Sequence, residues 1–335
     1  MIFDTRSIST AIKITLAAST MATGLVLGAG AATAEARKLT VTSLYNVDKP
    51  QSRVWVKFGE LLEEKLPGEF EVKIITDGAL GGEKEEAEGI LLGSIDGSLS
   101  TIANLTSWVP EGALFDMPFL FRDEAHIDSV LDGDLGDEMK TLYREQGFTV
   151  LGFVTYGSRN VISKDPVTEL ADIKGKTMRV LPGELHVSLW KFLGTNPTAI
   201  PITEAYSALE TGVADFMDMT KSGYDALKLF EVAPYITETG HIWAVGVMYF
   251  SNTYFDGLND AQKQAFQEAA DEATAYFNEL ASAEQQAGLD EAIAGGAQIV
   301  ETDLTEWRAA MDTFWLDYAD KVGGMERLET IAATD

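Results

Sequence analysis

The chain has no cysteine in its 335 residues, which removes a disulfide framework, a thiol nucleophile and any thiolate metal site. Stability must then come from packing, and a chain of this length can bury enough core for that. Histidine is almost as scarce. His126, His186 and His241 stand far apart, with no second histidine at ligand spacing, so no metal site is expected and each reads as structural. Cations are few as well, 25 Lys and Arg against 53 Asp and Glu, which argues against nucleic-acid binding because phosphate contacts draw on clustered basic residues. No HExxH, GxSxG or P-loop pattern occurs after residue 34. Acidic pairs such as Glu85 with Glu86, or Asp215 with Asp218, are what so acidic a chain gives by chance, so no acid and base pair can be picked out. No cofactor is implied.

At the N-terminus, Arg6 and Lys13 lead into an apolar, small-residue run over 14–30, and Ala32-Thr33-Ala34 supplies an A-x-A cleavage site before Glu35. Residues 1–34 read as an export signal peptide. An N-terminal membrane anchor is the other reading, but the run is short for a span and rich in Ala, Gly and Thr. Removing Asp4, Arg6 and Lys13 with the signal takes the formal charge from −28 to −29. Such a surface suits solubility, including in saline surroundings, and would repel an anionic ligand at long range unless salt screens it.

Past the signal, apolar alternation over 39–44 predicts a strand, and Val54, Trp55, Phe58, Leu61 and Leu62 fall at helical spacing within 51–65. Residues 70–75 predict a second strand, 83–92 a helix and 97–102 a short buried strand. Strands and helices that alternate in this way pair in parallel, with ligands collecting beyond the carboxyl ends of the strands. The loops after Leu44, Ile75 and Leu99 are therefore the ones of interest. A second unit begins near Gly157, with strands at 160–162 and 178–181 and helices at 186–193 and 202–211. Two α/β lobes follow from this. The β-prone run 242–251 suits a strand crossing back to the first lobe, and 259–294 is one long helical pattern with Phe266, Ala269, Ala273, Tyr276, Phe277 and Leu280 on one face.

Arg179 lies where the turn at Gly175 feeds a short strand, with Met178 and Val180 on one side and the guanidinium on the other. A rigid fork of donors at a strand end can hold a carboxylate through two parallel bonds. Spacing alone leaves a plain surface arginine equally open.

The run IKGKTMRV, then GTNPTAIPITEAYSALETGVAD, then LFEVAPYITETGH ending at His241, resembles the solute-binding proteins of tripartite ATP-independent periplasmic (TRAP) transporters, the DctP-like family. Gly157-Ser158-Arg159 matches a second family arginine, and KFGELLEEK, GALGGEKEE, LLGSIDGSLS and ALFDMPFLFRDE match further segments, so the resemblance covers nearly the whole chain after the signal. It implies a two-lobed periplasmic binding protein with a hinge and a long helix spanning both lobes. Lobe I would hold 35–157 and 246–284, and lobe II 158–245 and 285–335. It also implies that Arg179 bridges a substrate carboxylate and that Arg159 assists. Glu83 opens its helix where the family often reaches the ligand with a polar side chain, and Thr101, Tyr45 and Asn46 stand at further candidate contacts.

At 215–220 the chain departs from the family's D-G-x-E-N, reading Asp215-Phe216-Met217-Asp218-Met219-Thr220. Phe216, Asp218 and Met219 are thus candidates for shaping the ligand site, and the methionine suits an apolar part of a ligand. Tyr156 is a further candidate, and Trp108, Phe119 and Trp243 could line the cleft or serve as core. The expected function is capture of a small organic acid by a monomer and its delivery to the small and large membrane subunits of a TRAP permease. A ligand-sensing protein serving a chemoreceptor or sensor kinase fits the same features, and a secreted enzyme acting on an organic acid fits them less well.

Overall fold

The computed structural model describes residues 35–334; the expected signal peptide lies outside them. Its nine strands are β1 (Arg37–Thr42), β2 (Phe70–Ile75), β3 (Gly97–Thr101), β4 (Phe148–Ser163), β5 (Thr177–Val180), β6 (Asn196–Ala199), β7 (Phe216–Thr220), β8 (Tyr235–Ser251) and β9 (Gln298–Val300). Eight of them run in the order β2-β1-β3-β8-β4-β7-β5-β6, and β9 pairs with the start of β8. The fold is α/β and two-lobed. Parallel pairs lie at both ends of the order, β1 with β2 and β5 with β6. Between them runs the antiparallel ladder of β4 and β8. β3 pairs with the far half of β8, and β7 with the far half of β4, so each end of the sheet is stitched to one of the two long strands.

These long strands differ from the expected short ones at 160–162 and 242–251. Glycine reads as a break in a strand pattern, but Gly152 and Gly157 are absorbed as register shifts within the ladder. The expected helix over 202–211 is divided, a 3-10 turn Ile202–Glu204 followed by a helix Ala205–Thr211.

Helix α1 (Pro50–Lys65) starts with proline at its first position, where the missing N–H is no loss, and buries Val54, Trp55, Phe58, Leu61 and Leu62. Helix α2 (Glu83–Leu92) opens after Gly81-Gly82 and ends at Gly93 in the left-handed region. Helix α3 (Lys221–Ala226) is capped by Thr220. Helix α4 (Asp260–Ala294) is fixed at its start by a reciprocal cap, Asn259 and Gln262 each accepting from the other's backbone N–H. Its small inward face serves two cores. Phe266, Ala269, Ala273 and Phe277 pack with Leu39, Val41 and Phe58, whereas Leu289 and Ala292 pack with Leu209, Met217 and Met219. One rod therefore touches both cores. The C-terminal segment reaches two distant stretches of the chain: Trp315 Nε1 donates to Pro118 O at 2.8 Å, and Phe314 packs on Phe192.

Candidate ligand site

On β5, Met178 and Val180 point into the core, and Arg179 takes the other face, buried to 2% exposure. Its Nε donates to Ile200 O at 2.8 Å, but Nη1 is buried without any partner. An orphaned guanidinium donor is costly and uncommon in a folded interior. Burial, reinforced by the nearby Arg159 charge, lowers the Arg179 pKa to about 10, and Asp218 and Glu83 oppose that shift. The group stays cationic at neutral pH.

Arg159, on β4, has its partners already. Nε donates to Asp218 Oδ2 at 2.8 Å, and Nη2 donates to Asp218 Oδ1 and to the Asp218 carbonyl, each at 2.8 Å. His241 Nε2 lies 3.2 Å from Asp218 Oδ2, and His241 Nδ1 lies 2.8 Å from Thr239 Oγ1. Burial holds the His241 pKa below its ordinary value. The neutral ring then donates from Nε2 to the carboxylate and accepts from Thr239. Burial alone would raise the Asp218 pKa, but the Arg159 charge and these hydrogen bonds outweigh it and hold the carboxyl well below its ordinary value. The same pairing holds Arg159 above its usual value against desolvation.

Both arginines line one cavity. Across from them stand Glu83, Thr101, Asn104, Tyr45, Tyr156 and Gln51. Glu83 Oε1 accepts from Thr101 N at 2.7 Å and from Thr101 Oγ1 at 3.2 Å, and Oε2 accepts from Asn104 Nδ2. Glu83 is half-buried, and burial raises its carboxyl to about 7, the Thr101 bonds and the two arginines limiting the rise. Burial likewise pushes the Tyr45 and Tyr156 hydroxyls up, so both stay neutral. Gln51 is 7% exposed and its Oε1 has no partner. Leu44, Leu99, Leu181, Met219 and Ala244 supply apolar wall.

The structure thus gathers Arg179, Arg159, Glu83, Thr101, Tyr45, Tyr156 and Met219 around one space, at the carboxyl ends of β1, β3, β5 and β7. Three expected contacts lie elsewhere. Side chains alternate along a strand, so Phe216 and Asp218 take the opposite face of β7 from Met219. Phe216, at 0% exposure, packs edge-on against Trp190, and Asp218 spends its oxygens on Arg159 and His241 behind the wall. Asn46 is exposed and closes a local turn, accepting from Asp48 N at 3.0 Å. The aromatics Trp108, Phe119 and Trp243 also lie off the cavity: Trp108 meets Phe148 edge-on, Phe119 carries the Arg308 guanidinium over its ring, and Trp243 lines a surface groove beside Ser158 and Lys221.

Sequence reasoning passed over Gln51 and Asn104. The local signals were present: Gln51 follows the helix-starting Pro50, beside the end of β1, and Asn104 stands one turn after Thr101. It also passed over His241 as the support for Asp218. Among the described residues, no group of three or more His, Asp or Glu is placed to hold a metal ion. No helix among them is long and apolar enough to cross a membrane.

Residues 43–321 match the family of bacterial extracellular solute-binding proteins, family 7, DctP. The chain belongs to that family. DctP-family proteins are periplasmic and bind solutes without transforming them, so this one is not an enzyme. The 2,3-diketo-L-gulonate-binding periplasmic protein YiaO of Escherichia coli is 33% identical over 249 residues, 74% of this chain and 76% of that protein. A TRAP periplasmic solute-binding protein of Bradyrhizobium sp. BTAi1, solved with galacturonate, superposes with a TM-score of 0.83 at 30% identity, covering 88% of this chain and 98% of the other. A Sulfitobacter sp. NAS-14.1 protein of the same kind, solved with α-D-taluronate, gives 0.84 at 30% identity, covering 88% and 97%.

Proposed function

We propose that this DctP-family protein captures a small organic acid in the cavity and delivers it to the small and large membrane subunits of a TRAP permease. The reading rests on Arg179, a cation that lines the cavity and whose buried Nη1 has no partner. A ligand carboxylate would relieve that cost, and Arg159, held rigid by Asp218, would add a second charge-assisted contact. Glu83, Thr101, Tyr45, Tyr156 and Met219 would shape selectivity. Relatives named or solved with acids support the same class.

Closure gives the binding its mechanism. The lobes would divide near residues 157 and 245, and a ligand touching both would stabilise the closed arrangement by its differential affinity. Lys49 Nζ at the start of α1 lies 3.1 Å from Asp225 Oδ2 on α3, a contact across the proposed cleft. Replacing Arg179 with alanine should cost about 3–5 kcal/mol of binding, because the ligand carboxylate would then be buried without its partner. Isothermal titration with an acid that binds the wild type measures this; affinity within a few-fold of wild type in Arg179→Ala would overturn the assignment.

A further inference from the structure

Glu83 is held at the cavity wall by three donors that carry no charge, Thr101 N and Oγ1 on one oxygen and Asn104 Nδ2 on the other. Three of its roughly four acceptor positions are taken, and one is left where a proton can sit. Among the described residues, the cations that share this wall are Arg159 on β4 and Arg179 on β5. Asp218 on β7 holds Arg159 through both carboxylate oxygens, and His241 on β8, bonded to the same carboxylate, is kept neutral by burial. The other titratable groups around Glu83 add nothing to the balance. Burial pushes the Tyr45, Tyr156 and Tyr249 hydroxyls up, so they stay uncharged. Lys84 and Glu85 on its own helix are exposed, and Glu86, bonded to Thr42 and Ser98, lies off the cavity wall. With Glu83 ionised the charges therefore cancel, Arg159 against Asp218 and Arg179 against Glu83. An anion bound to Arg179 leaves one negative charge unmatched, in a place where an unpaired charge is costly.

We propose that the protein captures a proton together with its anion: as the ligand carboxylate settles on Arg179, one proton from solvent moves onto a Glu83 carboxyl oxygen and restores the balance. This rests on the reading of Arg179 as the carboxylate anchor. The carboxyl is already poised for the step, because burial raises it to about 7 and the two arginines limit the rise. A ligand carboxylate on Arg179 offsets that limit and adds a like charge of its own. Both effects push in one direction, and together they raise such a group by about a further 1–2 in pKa. Below about pH 6 Glu83 holds its proton with or without ligand, so affinity there is at its highest. As pH rises through about 7 the free protein loses the proton that the bound form keeps, and affinity falls.

The test is calorimetry of the full exported chain with four- to six-carbon aldonates and uronates, whose own carboxyls stay ionised between pH 6 and 8. Heats compared in two buffers of different ionisation enthalpy count the protons exchanged on binding. About half a proton should be taken up at pH 7 and more at pH 7.5, and affinity should fall about five- to tenfold from pH 6 to pH 8. Glu83→Gln should abolish both the uptake and the fall, whatever it does to affinity at a single pH. Glu86→Gln should leave the uptake in place, with melting temperatures confirming that each variant folds. Difference infrared spectroscopy reads the same event without relying on Glu83→Gln: a protonated-carboxyl band should grow when the acid is added at pH 7.5, in the wild type and in Glu86→Gln alike. No uptake in the wild type, or an uptake that survives in Glu83→Gln or vanishes in Glu86→Gln, overturns the proton capture and leaves the carboxylate reading intact. Binding of none of these acids, or binding indifferent to Arg179→Ala, overturns both.

Discussion

Glu86 shows what burial does to a carboxyl that no cation neutralises. It is 0% exposed, and Thr42 Oγ1 and Ser98 Oγ each donate to it at 2.8 Å. Burial lifts its pKa from 4.5 to about 7, with those two bonds limiting the rise and Glu83 and Glu85 adding to it. The folded state therefore binds this proton more tightly than the unfolded chain does. Its contribution to stability is full below about 4.5 and is lost as pH rises through about 7. Denaturation at a series of pH values should show the unliganded protein losing on the order of 1–3 kcal/mol through this group between about pH 5 and 8. Glu86→Gln should flatten that fall, and an unchanged pH slope would refute the account. Arg179 was legible as a charge between Met178 and Val180 on a short strand, and it and Arg159 were picked out through the family resemblance. Asp218 was misplaced because β7 is buried on both faces, so its sequence carries no alternation to say which side faces the ligand.

At the level of elements, the β4 and β8 ladder and the rod α4 meet at Gly157. Its φ is +102°, in the region that side chains strain to adopt, and it falls at a register shift after Thr155. A Cβ there would lie 2.5 Å from Gln285 Cδ on α4, whose Nε2 donates to Tyr156 O at 2.9 Å. Gly157→Ala should thus destabilise by about 1–3 kcal/mol from backbone strain, with a further part from displacing Gln285. Combining it with Gln285→Ala separates the two: chemical denaturation should show the double variant less destabilised than the sum, with a coupling of roughly 0.5–3 kcal/mol. Strict additivity would mean that Gln285 yields freely and that the rod is not keyed to the hinge. The rod itself was legible along its length, because a cap at Asn259 and small residues at helical spacing are local signals. The length of β4 and β8 was not. Glycines inside a strand read as breaks, and the partners Thr155 and Val245, ninety residues apart, are joined by a register that neither segment encodes alone.

For the whole molecule, the question is how a chain with a formal charge of −28 collects an anion. An anion reaching the surface of a sphere of roughly 25 Å radius carrying that charge would face on the order of 4 kcal/mol of unscreened repulsion in water. At an ionic strength of 0.01 M the Debye length of about 30 Å leaves much of this in place, whereas at 0.15 M, with about 8 Å, most of it is gone. The cavity keeps a positive balance, since Arg159 is matched by Asp218, Arg179 has no such partner and Glu83, raised to about 7, is only part-ionised at neutral pH, and buried charges are screened far less than exposed ones. Salt should therefore remove the long-range barrier faster than it weakens the short-range hook. For an acid that binds, the association rate in stopped-flow fluorescence should rise severalfold, up to about tenfold, between 0.01 and 0.15 M salt, while the dissociation rate changes little. Cavity-focused attraction would give the opposite sign. A rate that falls steadily from the lowest salt would show that the two arginines govern the field well outside the cleft, and that the acidic surface does not oppose capture.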